Sequence, residues 1–101
     1  MREHTATDTS LIDFYLSSIR EEFVGLGLTE RQFQILYLLS NGYSDKLISS
    51  HTGTGLDNVR QHILVLREKL NCSSRIELRM LYMTAVLSAV LNKLNQGTLH
   101  V

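Results

Sequence analysis

The sequence from residue 44 to residue 70 reads SDKLISSHTGTGLDNVRQHILVLREKL. A short helix is predicted after Ser44, because a serine hydroxyl can cap a first turn, and two glycines within residues 51–55 permit a sharp turn after it. A longer helix is predicted over residues 56–70, where apolar side chains recur on one helical face at Val59, Ile63, Leu66 and Leu70. These are the parts of a helix-turn-helix, although the periodicity alone is equally typical of other small helical bundles.

A helix is also predicted upstream of this motif, in residues 9–24. Its apolar side chains recur at helical spacing, at Leu11, Ile12, Tyr15, Ile19 and Phe23. Gly25 and Gly27 follow and are expected to end it.

Two more helices complete the predicted fold. One begins after Thr29, whose spacing from Gln32 is that of a capping box, and ends at residues 41–42. The other is capped by Ser74 and continues to a loose tail at residues 96–101. The expected fold class is therefore all-α, with five helices.

Composition narrows the function classes. At 101 residues the chain is long enough for one modest hydrophobic core, and the absence of proline suits long helices. The single cysteine cannot form an internal disulfide and the four histidines lack metal-ligand spacing, so we expect a reducing cytoplasm and no metal or other cofactor. The most apolar stretch, residues 80–91, is shorter than the roughly 20 residues of a membrane span, and no signal peptide is evident. An enzyme is not expected, because there is neither a glycine-rich phosphate loop nor a carboxylate pair in a matching context.

Charge is unevenly distributed, although the formal net charge is zero. Residues 1–30 carry six acidic and two basic side chains, whereas residues 31–101 carry four acidic and eight basic ones. The distribution permits a basic lobe that faces nucleic acid beside an acidic N-terminal element, but solvated helices often show the same asymmetry.

Five short patterns occur in order between residues 28 and 78. They are Leu28-Thr29-Glu30-Arg31-Gln32; Gly42, Ser44, Lys46 and Ile48; Gly53; Val59-Arg60-Gln61-His62; and Lys69, Leu70, Arg75, Glu77 and Leu78. In order and spacing they resemble the LuxR-type helix-turn-helix family, which has a Leu-Thr start, a Gly-x-Ser-x-Lys-x-Ile run, a turn glycine, Val-Lys-x-His, and Lys-Leu followed by Arg-x-Glu-Leu. We therefore expect a stand-alone domain of this type.

The resemblance implies the four-helix output domain of a bacterial transcription regulator, at residues 28–79. It implies that the recognition helix, residues 56–70, enters the major groove of double-stranded DNA, and that the last helix often mediates dimerisation. The chain departs from the family pattern in and after the turn: Thr52 and Thr54 replace apolar residues, Gly55 a serine, Asn58 a threonine, and Leu64 and Val65 polar or basic residues.

The predicted DNA-contacting residues lie on the two helices of the motif. They are Lys46, Asn58, Arg60, Gln61, Leu64 and Lys69. The polar side chains near the start of the recognition helix can reach base edges and phosphates, and Leu64 can contact thymine methyl groups. Lys46, on the helix that crosses the DNA backbone, and Lys69 are expected to contact phosphates.

Other charged and reactive side chains are interpreted as structural. Arg75, Glu30 and Glu77 are expected in internal salt bridges. Cys72 is expected to be a buried, inert thiol. His62 has no neighbouring nucleophile or acid at a meaningful spacing and is interpreted as a packing or phosphate-facing residue.

The last helix carries two interleaved apolar sets at seven-residue spacing, Ile76, Met83 and Val90, and Met80, Leu87 and Leu94. This is the spacing of a coiled-coil seam, and one small domain cannot easily cover it together with the apolar face beside it. We predict a homodimer made by residues 80–101, with an interface at Met80, Met83, Leu87, Val90 and Leu94. Helix 9–24, in the N-terminal helical extension of residues 1–27, can cover part of this surface in the same subunit or across the dimer. In the alternative it covers the whole surface within a monomer.

The sequence is also compatible with a second function. The chain would then be a helix-turn-helix relative that has lost DNA binding and acts as a protein-interaction module on another transcription regulator. Zero net charge and the apolar pair Leu64 and Val65 favour this alternative, whereas Lys46, Arg60, Lys69 and the complete motif spacing favour DNA.

Overall fold

The computed structural model describes residues 17–99, and these form five helices joined by short turns. In chain order the helices are α1 (residues 17–25), α2 (Glu30–Ser40), α3 (Asp45–Thr52), α4 (Leu56–Lys69) and α5 (Arg75–Leu99). The predicted all-α fold class is confirmed, since the described residues contain no strand. The first half of the predicted helix 9–24 lies outside them.

Helix α2 begins and ends as predicted. The Thr29 hydroxyl accepts a hydrogen bond from the Gln32 amide at 3.1 Å, and the Gln32 side chain accepts one from the Thr29 amide at 3.0 Å. This reciprocal capping box satisfies two amides that have no partner within the helix. At the other end, Asn41 caps the helix and its side-chain amide donates to the Tyr37 carbonyl.

The turn of the helix-turn-helix is held by hydrogen bonds from residues that replace the family's apolar ones. Ser44 caps α3, and Gly53 ends it at a φ of 69°, a left-handed conformation that favours glycine. The Thr52 hydroxyl donates to the Ile48 carbonyl and accepts from the Thr54 amide, and Ser49 donates to the Thr54 carbonyl at 2.6 Å. Polar contacts therefore fix the turn between α3 and α4.

The core lies between all five helices. Its fully buried side chains include Ile35, Leu36, Ile48, Val59, Ile63, Leu66 and Leu78. Helix α1 contributes Ile19 and Phe23, and the Phe23 ring lies 6.0 Å from Phe33 and 5.8 Å from Tyr82. Since the core includes side chains of α1, that helix is part of the same packed unit.

Helix α5 is longer than predicted. It continues to Leu99, so the expectation of a loose tail from residue 96 is wrong for residues 96–99. No proline interrupts it, and Gly97, which costs about 1 kcal/mol relative to alanine, does not end it. Despite the length of α5, none of the helices described has an apolar run long enough to cross a lipid bilayer.

Candidate nucleic-acid interface

Helix α4 has one buried face and one free face. Val59, Ile63 and Leu66 are buried against the rest of the domain. The opposite side is exposed and carries four of the predicted DNA-contacting residues: Asn58, Arg60, Gln61 and Leu64. All four side chains are exposed, Leu64 to 47%. Gln61 and Leu64 are in the middle of this side, whereas Asn58 and Arg60, two residues apart, lie on its two flanks.

Two carboxylates share that free surface and were not singled out from the sequence. Asp57, Gln61, Leu64 and Glu68 follow one another at intervals of four, three and four residues, so they lie along one helical face, and all four are exposed. Because carboxylates repel phosphates, this row of residues is unfavourable for contact with a DNA backbone.

A carboxylate that sequence reasoning missed joins α3, α4 and α5. Asp45 accepts hydrogen bonds from both terminal nitrogens of Arg75, at 2.7 and 3.0 Å, and its Oδ2 lies 3.4 Å from Nε of Arg60. The interpretation of Arg75 as a structural residue with an acidic partner is confirmed. The hydrogen bonds from Arg75 hold the pKa of Asp45 below its ordinary value of 3.8 and raise the pKa of Arg75.

The lowered pKa of Asp45 predicts that the folded protein loses stability in acid. Because the pKa of Asp45 is lower in the folded state, its stabilising effect is complete above pH 3.8 and is lost as the pH falls toward the folded-state value. At neutral pH, Asp45→Asn is expected to lower the free energy of unfolding by about 1–2 kcal/mol. Urea unfolding of both proteins should give a difference that shrinks below pH 3.8, and a difference that stays constant into strong acid would contradict this role.

The two predicted lysines occupy different environments. Lys46 is exposed in the first turn of α3 and has no hydrogen-bond or ion-pair partner among residues 17–99. Lys69 instead reaches across the domain, where its ammonium donates to the Gly27 carbonyl at 2.7 Å and to Gln32 at 2.9 Å. These bonds tie the end of α4 to the start of α2, so the Lys69 ammonium is engaged within the domain.

Other arginines also hold the helices together. Arg31 donates to the Thr52 carbonyl at 2.7 Å, which satisfies the end of α3 from α2, and Arg67 donates to the Ser73 carbonyl. Sequence reasoning did not assign the role of Arg31. Its position in the Leu-Thr start was a signal, but its partner lies 21 residues away.

The predicted acidic and thiol residues give mixed outcomes. Glu30 forms the expected salt bridge, 2.9 Å from Arg20. Glu77 does not: it accepts from the amide and hydroxyl of Ser73, which lowers its pKa, so it acts as a cap at the start of α5. The Cys72 thiol is half-buried, and burial raises its pKa, as expected of an unreactive cysteine.

Helix α5 has an apolar side that packs on the core and a second that does not. Leu78 and Tyr82 are buried on the first side. On the second side the seam residues Ile76, Met80, Met83, Leu87 and Leu94 are each between 52% and 66% exposed, and Val90 is partly exposed. The described part of α1 therefore leaves this seam uncovered.

Comparison with known proteins agrees with this geometry. A family model described as bacterial regulatory proteins, luxR family, matches residues 26–82, more than half of the chain. The match spans α2, α3, α4 and the first two turns of α5, and begins after α1. No curated protein and no solved structure matches significantly.

Proposed function

The chain belongs to the luxR family of bacterial regulatory proteins, and we propose that it is a sequence-specific transcriptional regulator that places α4 in the major groove of double-stranded DNA. The observation that carries the proposal is the exposed side of α4, which has Gln61 in its middle and Asn58 and Arg60 on its two flanks, near the start of the second helix of a helix-turn-helix. This is the part of such a motif that reaches base edges.

Each side chain has a role that follows from its chemistry. Arg60 can donate two parallel hydrogen bonds to a guanine, and Asn58 and Gln61 can donate to and accept from base edges. Leu64 can pack on a thymine methyl group. Lys46, at the start of α3, supplies a phosphate contact that positions the domain. The protein acts in the cytoplasm, where DNA is accessible, and no cofactor is required for these contacts.

Titration of short mixed-sequence DNA duplexes tests this function. Binding is expected to weaken steeply between about 50 and 200 mM salt, because cations of the protein displace counterions from phosphates. Arg60→Ala should raise the Kd by roughly 10- to 100-fold, the equivalent of about 1–3 kcal/mol. Arg20→Ala, which removes the same charge from α1, is the control and should leave the Kd nearly unchanged.

Two other outcomes of this titration would each support a different interpretation. Normal binding by Arg60→Ala would show that another face of the domain meets DNA. Absence of binding by the unsubstituted protein at low salt would reject the proposed function and favour the protein-interaction alternative.

The proposed regulator is a homodimer assembled through α5. The exposed seam residues follow one another at alternating intervals of four and three, from Ile76 to Leu94, which is the spacing at which two helices interlock. A second copy of the chain carries the same α5, so its seam residues have the same spacing and can interlock with those of the first. Two recognition helices related by a two-fold axis would read half-sites about 34 Å apart.

One observation supports a second candidate function. The middle of the free face of α4 holds Asp57, Leu64 and Glu68, an apolar residue flanked by acids, which also suits a basic protein surface. In that case the domain binds another transcription regulator and antagonises it. The same DNA titration at low salt separates the two functions.

A further inference from the structure

A groove of about 630 Å³ lies beside the start of α3, away from the middle of the free face of α4. It is formed by the connection between α2 and α3 together with the first turns of α3 and α5. Three basic side chains line it: Lys46, Arg75 and Arg79. Arg79 lies one helical turn after Arg75, and no pattern in the sequence had drawn attention to it.

The contacts of the basic residues single out this groove. Eight basic side chains fall within residues 17–92, and six of them have a partner: Arg20, Arg31, Arg60, Arg67, Lys69 and Arg75. Within that part, Lys46 and Arg79 have none, and both are exposed. The two unpartnered cations therefore line the same groove.

The neighbouring charges leave this region positive. Asp45, the one carboxylate that lines the groove, is already shared by Arg75 and Arg60. Lys46 and Arg79 add two charges that nothing in the described chain neutralises. Through Asp45 the groove also adjoins Arg60 on α4, whereas the free face of α4 itself carries Asp57 and Glu68.

We propose that this groove binds a backbone phosphate of the DNA, with Lys46 and Arg79 as the anion-binding cations and Arg75 as the residue that orders the groove wall. The inference rests on the proposed DNA-binding function and deepens it. It adds α5 to the DNA surface and places the main backbone contact between α3 and α5. A backbone phosphodiester fits this groove because it carries a single negative charge. The bases next to it in the DNA would lie within reach of Arg60.

The experiment compares Arg79→Ala, Arg79→Lys and Arg20→Ala with the unsubstituted protein on mixed-sequence duplexes from about 50 to 200 mM salt. Arg79→Ala should weaken binding roughly 5- to 10-fold at low salt, equally on all sequences, and should lower the slope of log K against log salt by about one for each groove occupied. Arg79→Lys should keep most of the slope, since a phosphate accepts a point charge. Arg20→Ala should retain the original slope, because its partner Glu30 is at the opposite end of α2 from the groove.

Thermal unfolding shows whether a change in DNA binding could instead come from a loss of stability. Arg79 has no partner in the described chain, so its substitution should leave Tm unchanged. If the unsubstituted protein binds DNA and Arg79→Ala keeps the original slope, the groove assignment is overturned while the proposed function survives. If the unsubstituted protein fails to bind at low salt, the function and the groove assignment are both rejected.

Discussion

Leu87→Asp is expected to convert the protein from a dimer to a monomer and to weaken DNA binding by about 100-fold or more. Leu87 is 59% exposed on the seam of α5, so the substitution leaves the core of one chain intact. In a dimer the new carboxylate would be buried between two apolar helices without a partner, which costs several kcal/mol. DNA affinity falls when the dimer dissociates, because two linked recognition helices bind 10²- to 10⁴-fold more tightly than one. Light scattering at micromolar concentration and titration of a duplex measure the two effects.

Ser88→Asp is the matched control. It adds the same charge to the next residue, which is exposed about 100° around the axis of α5 from the seam. This variant should remain dimeric and bind DNA normally. A mass of one chain for the unsubstituted protein would reject the dimer, and a monomeric Leu87→Asp with undiminished affinity would reject the coupling between dimerisation and DNA binding.

Phe23→Ala is expected to remove about 3–5 kcal/mol from the free energy of unfolding. The Phe23 side chain is 2% exposed and its ring packs between Phe33 and Tyr82, so its loss leaves a cavity in the main core. A single domain is typically stable by only 5–15 kcal/mol, so the variant should be close to unfolding at ordinary temperatures. Urea unfolding followed by circular dichroism gives the value.

Leu26→Ala is the control for this prediction, because Leu26 is 59% exposed just after α1 and its truncation should change stability by less than about 0.5 kcal/mol. Similar small losses for both variants would show that α1 is not part of the cooperative unit. The expected difference means that the working domain extends upstream of the family match, which starts at residue 26.

Only some of the charged and polar surface residues could be assigned to a binding surface from the sequence. That Arg60, Asn58 and Gln61 avoid the buried face of α4 could be predicted from helical periodicity and the family resemblance. Arg79 could not be assigned, because an arginine early in a long helix is equally typical of a solvated surface. Only the packing of the first turn of α5 beside the start of α3 brings it into the same groove as Lys46.

The sequence by itself determined the starts of α2 and α3 and the turn after α3, but not the end of α5 or the capping role of Glu77. The bonds that define these starts join residues close in the chain, such as Thr29 with Gln32 and Ser44 with Leu47, so residue type and spacing are sufficient to predict them. The same applies to the seam of α5, whose exposure follows from apolar residues on two sides of one helix.

Only the tertiary structure decided which partner each charged side chain meets within the domain, and which charged side chains are left to bind another molecule. Asp45 meets Arg75 30 residues away, and Lys69 meets Gly27 42 residues away. A lysine or arginine looks the same in a sequence whether or not such a partner exists. The partner is set by how helices pack against one another, and that packing depends on the whole core rather than on the residues beside the charge.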